Sequence, residues 1–142
     1  MPILQPRDEE AVRKEFQRLA GPVKLVVFSQ ELVAGDLCRQ NEQLLKEVAA
    51  LSDQITVEVL NPAIDKDRAA AYGIDQVPAT VVEGARDYGI RFLGVPAGYE
   101  FSNLIDSIIA VSSGEAMLTA DTKASLAALA GDVEIKVFST PT

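Results

Sequence analysis

The sequence predicts an α/β fold in which a mixed four-stranded sheet is flanked by helices. Two apolar segments, residues 23–28 and 55–59, have the β-branched composition of strands, and a helical pattern separates them. A strand, a helix and a second strand in this order imply a parallel pair. Residues 79–83 and 90–93 are separated only by a short turn, which implies an antiparallel hairpin. Helices on the faces of this mixed sheet complete the expected architecture.

The first half of the chain is expected to supply two helices and two strands. Asp8 is the expected cap of the first helix, which ends at Gly21-Pro22 before the strand 23–28. Asp36 is the expected cap of the second helix. The apolar face of that helix is predicted to contain Leu37, Leu44, Val48 and Leu51. Apolar and polar residues then alternate over 55–59, which predicts a half-buried strand.

The second half begins with a short helix from Asp65 to Tyr72, and Gly73 stands where helices commonly end. Pro78 opens the strand 79–83, and the strand 90–93 follows a turn. A loop with glycine and proline leads into a long helix. The apolar face of this helix is predicted to contain Phe101, Leu104, Ile105, Ile108 and Ile109.

The end of the chain repeats a pattern from its beginning. Thr119 or Asp121 can cap a helix that runs to Leu129, and V-E-I-K-V-F (133–138) then reads as a strand. The segment L-A-G-D-V-E-I-K-V-F-S (129–139) closely matches L-A-G-P-V-K-L-V-V-F-S (19–29). Such a match predicts two related units. We therefore expect one unit in residues 1–111, and a linker helix with the first strand of a second unit in 112–142.

Composition excludes several kinds of chemistry. The chain of 142 residues has no histidine and one cysteine, Cys38, so His-based general bases and Cys/His zinc sites are ruled out. A net charge of −8 argues against nucleic-acid binding, and no apolar run is long enough to span a bilayer. The N-terminus lacks the features of a signal peptide. We expect a cytoplasmic protein that binds neither nucleic acid nor membranes.

Three segments resemble one group of proteins. They are G-I-D-Q-V-P-A-T (73–80), G-I-R-F-L-G-V-P-A-G-Y-E-F (89–101) and V-F-S-T-P-T (137–142). Together they resemble the tandem, glutaredoxin-like protein disulfide oxidoreductases. They also resemble the N-terminal module of the alkyl hydroperoxide reductase flavoprotein subunit and of thioredoxin-reductase-like proteins. This resemblance implies a thioredoxin-like fold, here with an extra N-terminal helix and a C-terminal helix-strand extension.

The resemblance also implies where a site would lie. It implies a cis Val77–Pro78 bond, beside which an extended partner could add as a strand. Cys38 matches the second cysteine of the C-x-x-C motif of these families, and Gly35 stands in place of the first, attacking cysteine. The partner-binding residues that we expect are Gly35, Asp36, Cys38, Val77 and Pro78. Because thiol–disulfide exchange needs a second thiol to resolve the mixed disulfide, this unit cannot carry a dithiol cycle. Tyr99 also replaces a histidine that these families often have.

Three functional hypotheses follow. The first is a redox-inactive unit of a tandem thiol–disulfide module, which supports a second unit and docks partners. The dithiol of that module is expected beyond residue 142. The second is an autonomous monothiol enzyme that uses Cys38, the one candidate catalytic thiol; we favour a structural role for this residue. The third is a module that binds extended peptides near Val77–Pro78.

Cofactors and partners follow from the same resemblance. We expect no cofactor or metal in these residues, and FAD and NAD(P)H in a downstream domain of a longer parent. The expected partners are a second thioredoxin-like unit and a protein disulfide or peroxiredoxin substrate. The unpaired strand 133–138 further predicts a homodimer or a strand swap. Four carboxylates, which we expect at one end of the fold, are interpreted as surface charges: Glu31, Asp36, Glu83 and Glu100.

Overall fold

A computed structural model describes residues 1–140. Helix α1 spans Pro6–Glu15 and continues as a short 3-10 turn, and strand β1 spans Val23–Phe28. The remaining elements, in chain order, are α2 (Glu31–Ala49), β2 (Ile55–Leu60), α3 (Lys66–Tyr72), β3 (Ala79–Glu83), β4 (Asp87–Leu93), α4 (Phe101–Ser113) and α5 (Ala120–Ala127).

The four strands form one mixed sheet in the order β2-β1-β3-β4. β1 pairs in parallel with β2, and it pairs antiparallel with β3, which forms an antiparallel hairpin with β4. This is the mixed, helix-flanked sheet that the sequence predicts, and it confirms the thioredoxin-like fold. β4 begins at Asp87, three residues earlier than expected, because the turn after β3 is shorter than the sequence suggested.

Two cores lie on opposite faces of the sheet because successive residues of a strand point to opposite sides. On one face, α1, α2 and α4 cover the β1 residues Val23, Leu25 and Val27. On the other face, the short helix α3 covers Val26 and Phe28. This second core is small, and the sheet face that it leaves uncovered carries charged side chains such as Glu58.

Helix ends agree with the sequence in part. Gly73 ends α3 in the left-handed conformation (φ 67°), and Thr119 caps α5 by accepting a hydrogen bond from the Thr122 N–H. Asp8 is not the cap of α1, because that helix starts earlier, with Pro6 in its first turn and Gln5 before it. Proline suits this position because its missing N–H would have no helical partner there.

The expected strand 133–138 is not formed. Residues 131–140 have neither helix nor strand, and Ile135 and Val137 are 81% and 83% exposed. A strand needs a neighbouring strand to pair with, and within residues 1–140 neither edge of the sheet takes up this segment. The predicted strand was therefore wrong for the chain as described. The homodimer or swap through these residues stays a prediction, and positions 141 and 142 of the motif V-F-S-T-P-T lie outside the described residues.

Across residues 1–140, no helix combines the length and apolar character that a membrane span requires.

Candidate functional site

The residues that the resemblance singled out meet at one end of the sheet. The register places Phe28, the last residue of β1, opposite Ala79, the first residue of β3. Helix α2 therefore begins near the point where Val77 and Pro78 enter β3. The Val77–Pro78 peptide bond is cis. The start of α2 and the Val77–Pro78 step together form the candidate docking site.

The start of α2 differs from the expectation. The helix begins at Glu31 and is interrupted at Ala34, whose backbone is not helical (φ −147°, ψ 48°), and it resumes at Gly35. Asp36 therefore lies inside the helix and is not its cap. Its side chain is 97% exposed and forms an ion pair with Arg39 on the outer surface. The sequence could not show this kink because the backbone path between β1 and α2 depends on the packing of both elements.

Gly35 leaves room for a small side chain. A Cβ at this position would approach the nearest guanidinium nitrogen of Arg39 at 3.3 Å, and the long arginine side chain can move away. The position therefore tolerates a residue such as cysteine, although this sequence has none there. The attacking thiol is therefore missing because residue 35 is glycine, and not because the surrounding structure would exclude a cysteine side chain.

Cys38 is fully buried, with 0% of its surface exposed. The backbone N–H of Gln30 donates a hydrogen bond to its Sγ over 3.4 Å. It is a free cysteine, and neither of the charged residues nearest in the helix, Asp36 and Arg39, pairs with it. A thiol in this environment is a core side chain that anchors the start of α2, and a reagent cannot reach it without local opening.

Val77 offers an unpaired backbone beside a groove. Among residues 1–140 its amide and carbonyl groups have no backbone hydrogen bond, whereas the Pro78 carbonyl accepts one from the Gly94 N–H at 2.8 Å. An open groove of about 430 Å³ runs alongside Val77. It is lined by Gln30, Val33, Pro62, Ala63, Ile74, Asp75, Gln76 and Val77. The lining is mostly apolar, and Asp75 is its one charged side chain.

A buried polar pair ties α2 to β3 beneath this site. The Asn41 side-chain amide donates to the Thr80 hydroxyl oxygen over 3.2 Å, and both residues are fully buried. Among residues 1–140, the side-chain carbonyl oxygen of Asn41 has no hydrogen-bond partner. Sequence reasoning missed this pair because its two residues are 39 positions apart, and it also placed Leu37 on the buried face. The structure instead exposes Leu37 by 52% and buries Cys38, Asn41 and Leu45, which recur at helical spacing.

The four carboxylates do not gather at one end. Glu83 lies opposite Lys24 in the sheet register, at the end of β1 that is distant from Phe28. Its carboxylate accepts hydrogen bonds from the Tyr72 hydroxyl at 3.0 Å. The expectation of a common end was therefore wrong for Glu83, since residue spacing alone does not fix strand register. No group of three or more metal-ligating side chains occurs within the part of the chain that is described.

Some of the charged pairs lie on the sheet face beside α3. Arg68 donates two hydrogen bonds to Glu58, at 2.7 and 3.0 Å, and Lys24 forms an ion pair with the same carboxylate. The hydrogen bonds from Arg68 and Lys24 lower the pKa of Glu58 from 4.5 to about 2. On β4, Arg91 pairs with Asp87 and lowers the pKa of that carboxyl to about 2. These groups lie on the α3 side of the sheet, whereas Cys38 belongs to α2 on the other side.

The structure resembles known redox proteins. It matches AhpF, a component of the alkylhydroperoxide reductase of Enterococcus faecalis (V583), with a TM-score of 0.80 and 25% identity, covering 89% of this chain and 61% of that one. It matches a protein disulfide oxidoreductase from Aeropyrum pernix K1 with a TM-score of 0.76, 23% identity and coverage of 89% and 56%. At that identity the second likeness concerns the fold alone.

Curated sequences agree with this resemblance. The corresponding component of the alkyl hydroperoxide reductase of Pseudomonas putida is 24% identical over 128 residues, which are 87% of this chain and 21% of that protein. A protein named NADH dehydrogenase from Ferdinandcohnia aciditolerans is 28% identical over 111 residues, covering 78% and 18%. The chain spans about a fifth of the length of these relatives. No protein-family model matches it. The comparisons confirm the resemblance and support a thioredoxin-like redox module.

Proposed function

We propose that this chain is the redox-inactive unit of a thiol–disulfide oxidoreductase module, and that it supports a second thioredoxin-like unit and docks partners. The observation that carries the proposal is the burial of Cys38, the one cysteine of the sequence. Cys38 is 0% exposed, and a glycine stands where an attacking cysteine would lie. Because thiol–disulfide exchange requires an accessible thiolate, the fold is present without its usual chemistry.

Docking is supported by the backbone of Val77 and the groove beside it. A segment in an extended conformation could bond to the unpaired amide and carbonyl of Val77 by strand addition. Its side chains would then enter the mostly apolar groove. The nearby side chain of Val33 is 70% exposed and would be covered by such a partner. The partner that we propose is a segment of a protein disulfide or peroxiredoxin substrate.

The wider setting is also part of the proposal. The curated relatives are about five times as long as the matched segment, so they have room for further domains. We infer that the dithiol of the module, and any FAD and NAD(P)H that it uses, lie outside these 142 residues. We further propose that the module acts in the cytoplasm, where a lone cysteine stays reduced.

A pure peptide-binding module is the second candidate, since the same groove supports it. The autonomous monothiol enzyme is disfavoured, because the buried Sγ of Cys38 has no path to a substrate in this conformation. The two remaining candidates share the docking step. They differ in whether a redox-active second unit accompanies it.

Docking can be tested with a fluorescein-labelled ten-residue peptide of alternating valine and serine with a terminal lysine. We expect fluorescence anisotropy to show saturable binding that Ala63→Arg weakens at least tenfold, because Ala63 lines the groove and is exposed. The matched control is Ala11→Arg, at an exposed alanine on α1, which should bind like the wild type. Equal binding by both variants, or none by the wild type, would rule out docking in this groove.

A further inference from the structure

The groove beside Val77 contains one charged side chain, the carboxylate of Asp75. The other residues that line it are neutral, and most of them are apolar. Asp75 is exposed, and within residues 1–140 its carboxylate forms no ion pair. The groove therefore presents an uncompensated negative charge to any segment that binds in it.

The position of Asp75 is fixed by the residues just before it. Gly73 ends α3 in the left-handed conformation, and the Ile74 N–H then donates a hydrogen bond to the Ala69 carbonyl oxygen at 2.9 Å. The Ile74 side chain is buried in the smaller core, whereas Asp75 is exposed and lines the groove. The carboxylate is thus held two residues before Val77, whose backbone is the proposed attachment point of a partner.

The chain around the groove is acidic. Residues that line the groove belong to three segments, 30–33, 61–66 and 74–77. These segments contain three carboxylates and one cation: Glu31, Asp65, Asp75 and Lys66. None of the four forms an ion pair in the part of the chain that is described. The surroundings of the groove therefore favour a positively charged partner and disfavour a negatively charged one.

We propose that Asp75 selects partners whose docked segment is extended, mostly apolar and carries a lysine or an arginine. The basic residue lies within about two positions of the partner residue that bonds to Val77, because an extended chain advances by about 3.3 Å per residue. Acidic segments are rejected by repulsion between like charges. This inference rests on the proposed docking function and adds to it the class of partner.

Three fluorescein-labelled peptides test the selection by fluorescence anisotropy. Each peptide has ten residues of alternating valine and serine, and its central serine, at position six, is replaced with lysine, glutamine or glutamate. At about 20 mM NaCl we expect the wild type to bind the lysine peptide at least about five times more tightly than the glutamate peptide, with the glutamine peptide between them. The preference should fall below about twofold at about 0.5 M NaCl, because salt screens exposed charges.

Substitutions assign the preference to Asp75. Asp75→Asn keeps the size of the side chain and removes its charge, so the lysine and glutamate peptides should bind within about twofold of each other. Asp75→Lys should reverse the preference. Because Asp75 is exposed, neither substitution should impair folding. The matched control is Asp53→Asn, at an exposed aspartate just before β2 and at the opposite end of the sheet, which should keep the wild-type preference.

The outcomes distinguish this inference from the docking on which it rests. If the wild type bound all three peptides with equal affinity, docking would stand and selection by charge would be overturned. A preference for the lysine peptide that persisted in Asp75→Asn, or that did not respond to salt, would overturn the role of the Asp75 carboxylate. If the wild type bound none of the peptides, both the docking and the selection would be overturned.

Discussion

Replacing Glu58 by glutamine should remove part of the acid sensitivity of this fold. Glu58 accepts two hydrogen bonds from Arg68, at 2.7 and 3.0 Å, and pairs with Lys24. These interactions lower its pKa from 4.5 to about 2. Because the pKa is lower in the folded state, the carboxylate stabilises the fold fully above pH 4.5 and loses this effect as the pH falls toward 2.

The size of the expected stability change follows from the pKa shift of Glu58. Each pKa unit corresponds to about 1.4 kcal/mol, so the shift sets an upper value of roughly 3.4 kcal/mol. The Glu58 side chain is 31% exposed, and solvent screens its interactions. We therefore expect the stability advantage of the wild type over Glu58→Gln to shrink by about 1–2 kcal/mol between about pH 5 and pH 2.

Urea unfolding, followed by far-ultraviolet circular dichroism across this pH range, measures the difference. The matched control is Glu10→Gln, because Glu10 is exposed and makes no ion pair among the described residues. The free energy of unfolding of Glu10→Gln should depend on pH in the same way as that of the wild type. If Glu58→Gln followed the wild-type curve in parallel down to pH 2, the assigned role of the Arg68 and Lys24 interactions would be refuted.

Three further predictions concern the core, a close contact and the thiol. Leu44→Ala should lower the free energy of unfolding, measured by urea titration, by about 2–5 kcal/mol because Leu44 is buried. The control Leu126→Ala, on the surface, should change it by less than about 0.5 kcal/mol. Equal effects of the two substitutions would contradict the assigned core. Gly84→Ala should lower the melting temperature, because a Cβ there would overlap the backbone carbonyl oxygen of Val111 in α4. Gly131→Ala is the control, because a Cβ there meets open space. Equal melting temperatures for the two variants would show that the contact at Gly84 is not as tight as described. Cys38 should react with a thiol reagent such as DTNB only after denaturation, so rapid labelling of the native protein would contradict its burial.

The strands of the sheet could be predicted where local pattern and tertiary structure agree. Residues 23–28 and 79–83 form strands with the expected bounds, since an apolar, β-branched run between turn residues has few other options in a folded chain. Gly73 ends α3 for a similarly local reason, because its backbone has a positive φ that glycine adopts without steric cost. Residues 133–138 (V-E-I-K-V-F) closely resemble β1 (V-K-L-V-V-F) but form no strand, because pairing is a property of two segments and not of one.

The candidate site was predictable only in outline. The sequence located Cys38 at the start of a helix and Val77–Pro78 before a strand, and the register of β1 and β3 brings these regions together. It did not reveal the kink at Ala34, which moved Asp36 from the cap into the helix. Nor did it reveal the buried Asn41–Thr80 contact, because that contact joins residues 39 positions apart.

The central claim is that this unit has the fold of a thiol–disulfide oxidoreductase without its chemistry, and the insulin reduction assay with dithiothreitol tests it most directly. The wild-type chain and Cys38→Ser should both leave the rate of insulin precipitation at the level of dithiothreitol alone. A clear acceleration by the wild type that is lost in Cys38→Ser would contradict the claim. It would show that Cys38 becomes accessible and acts as a working monothiol.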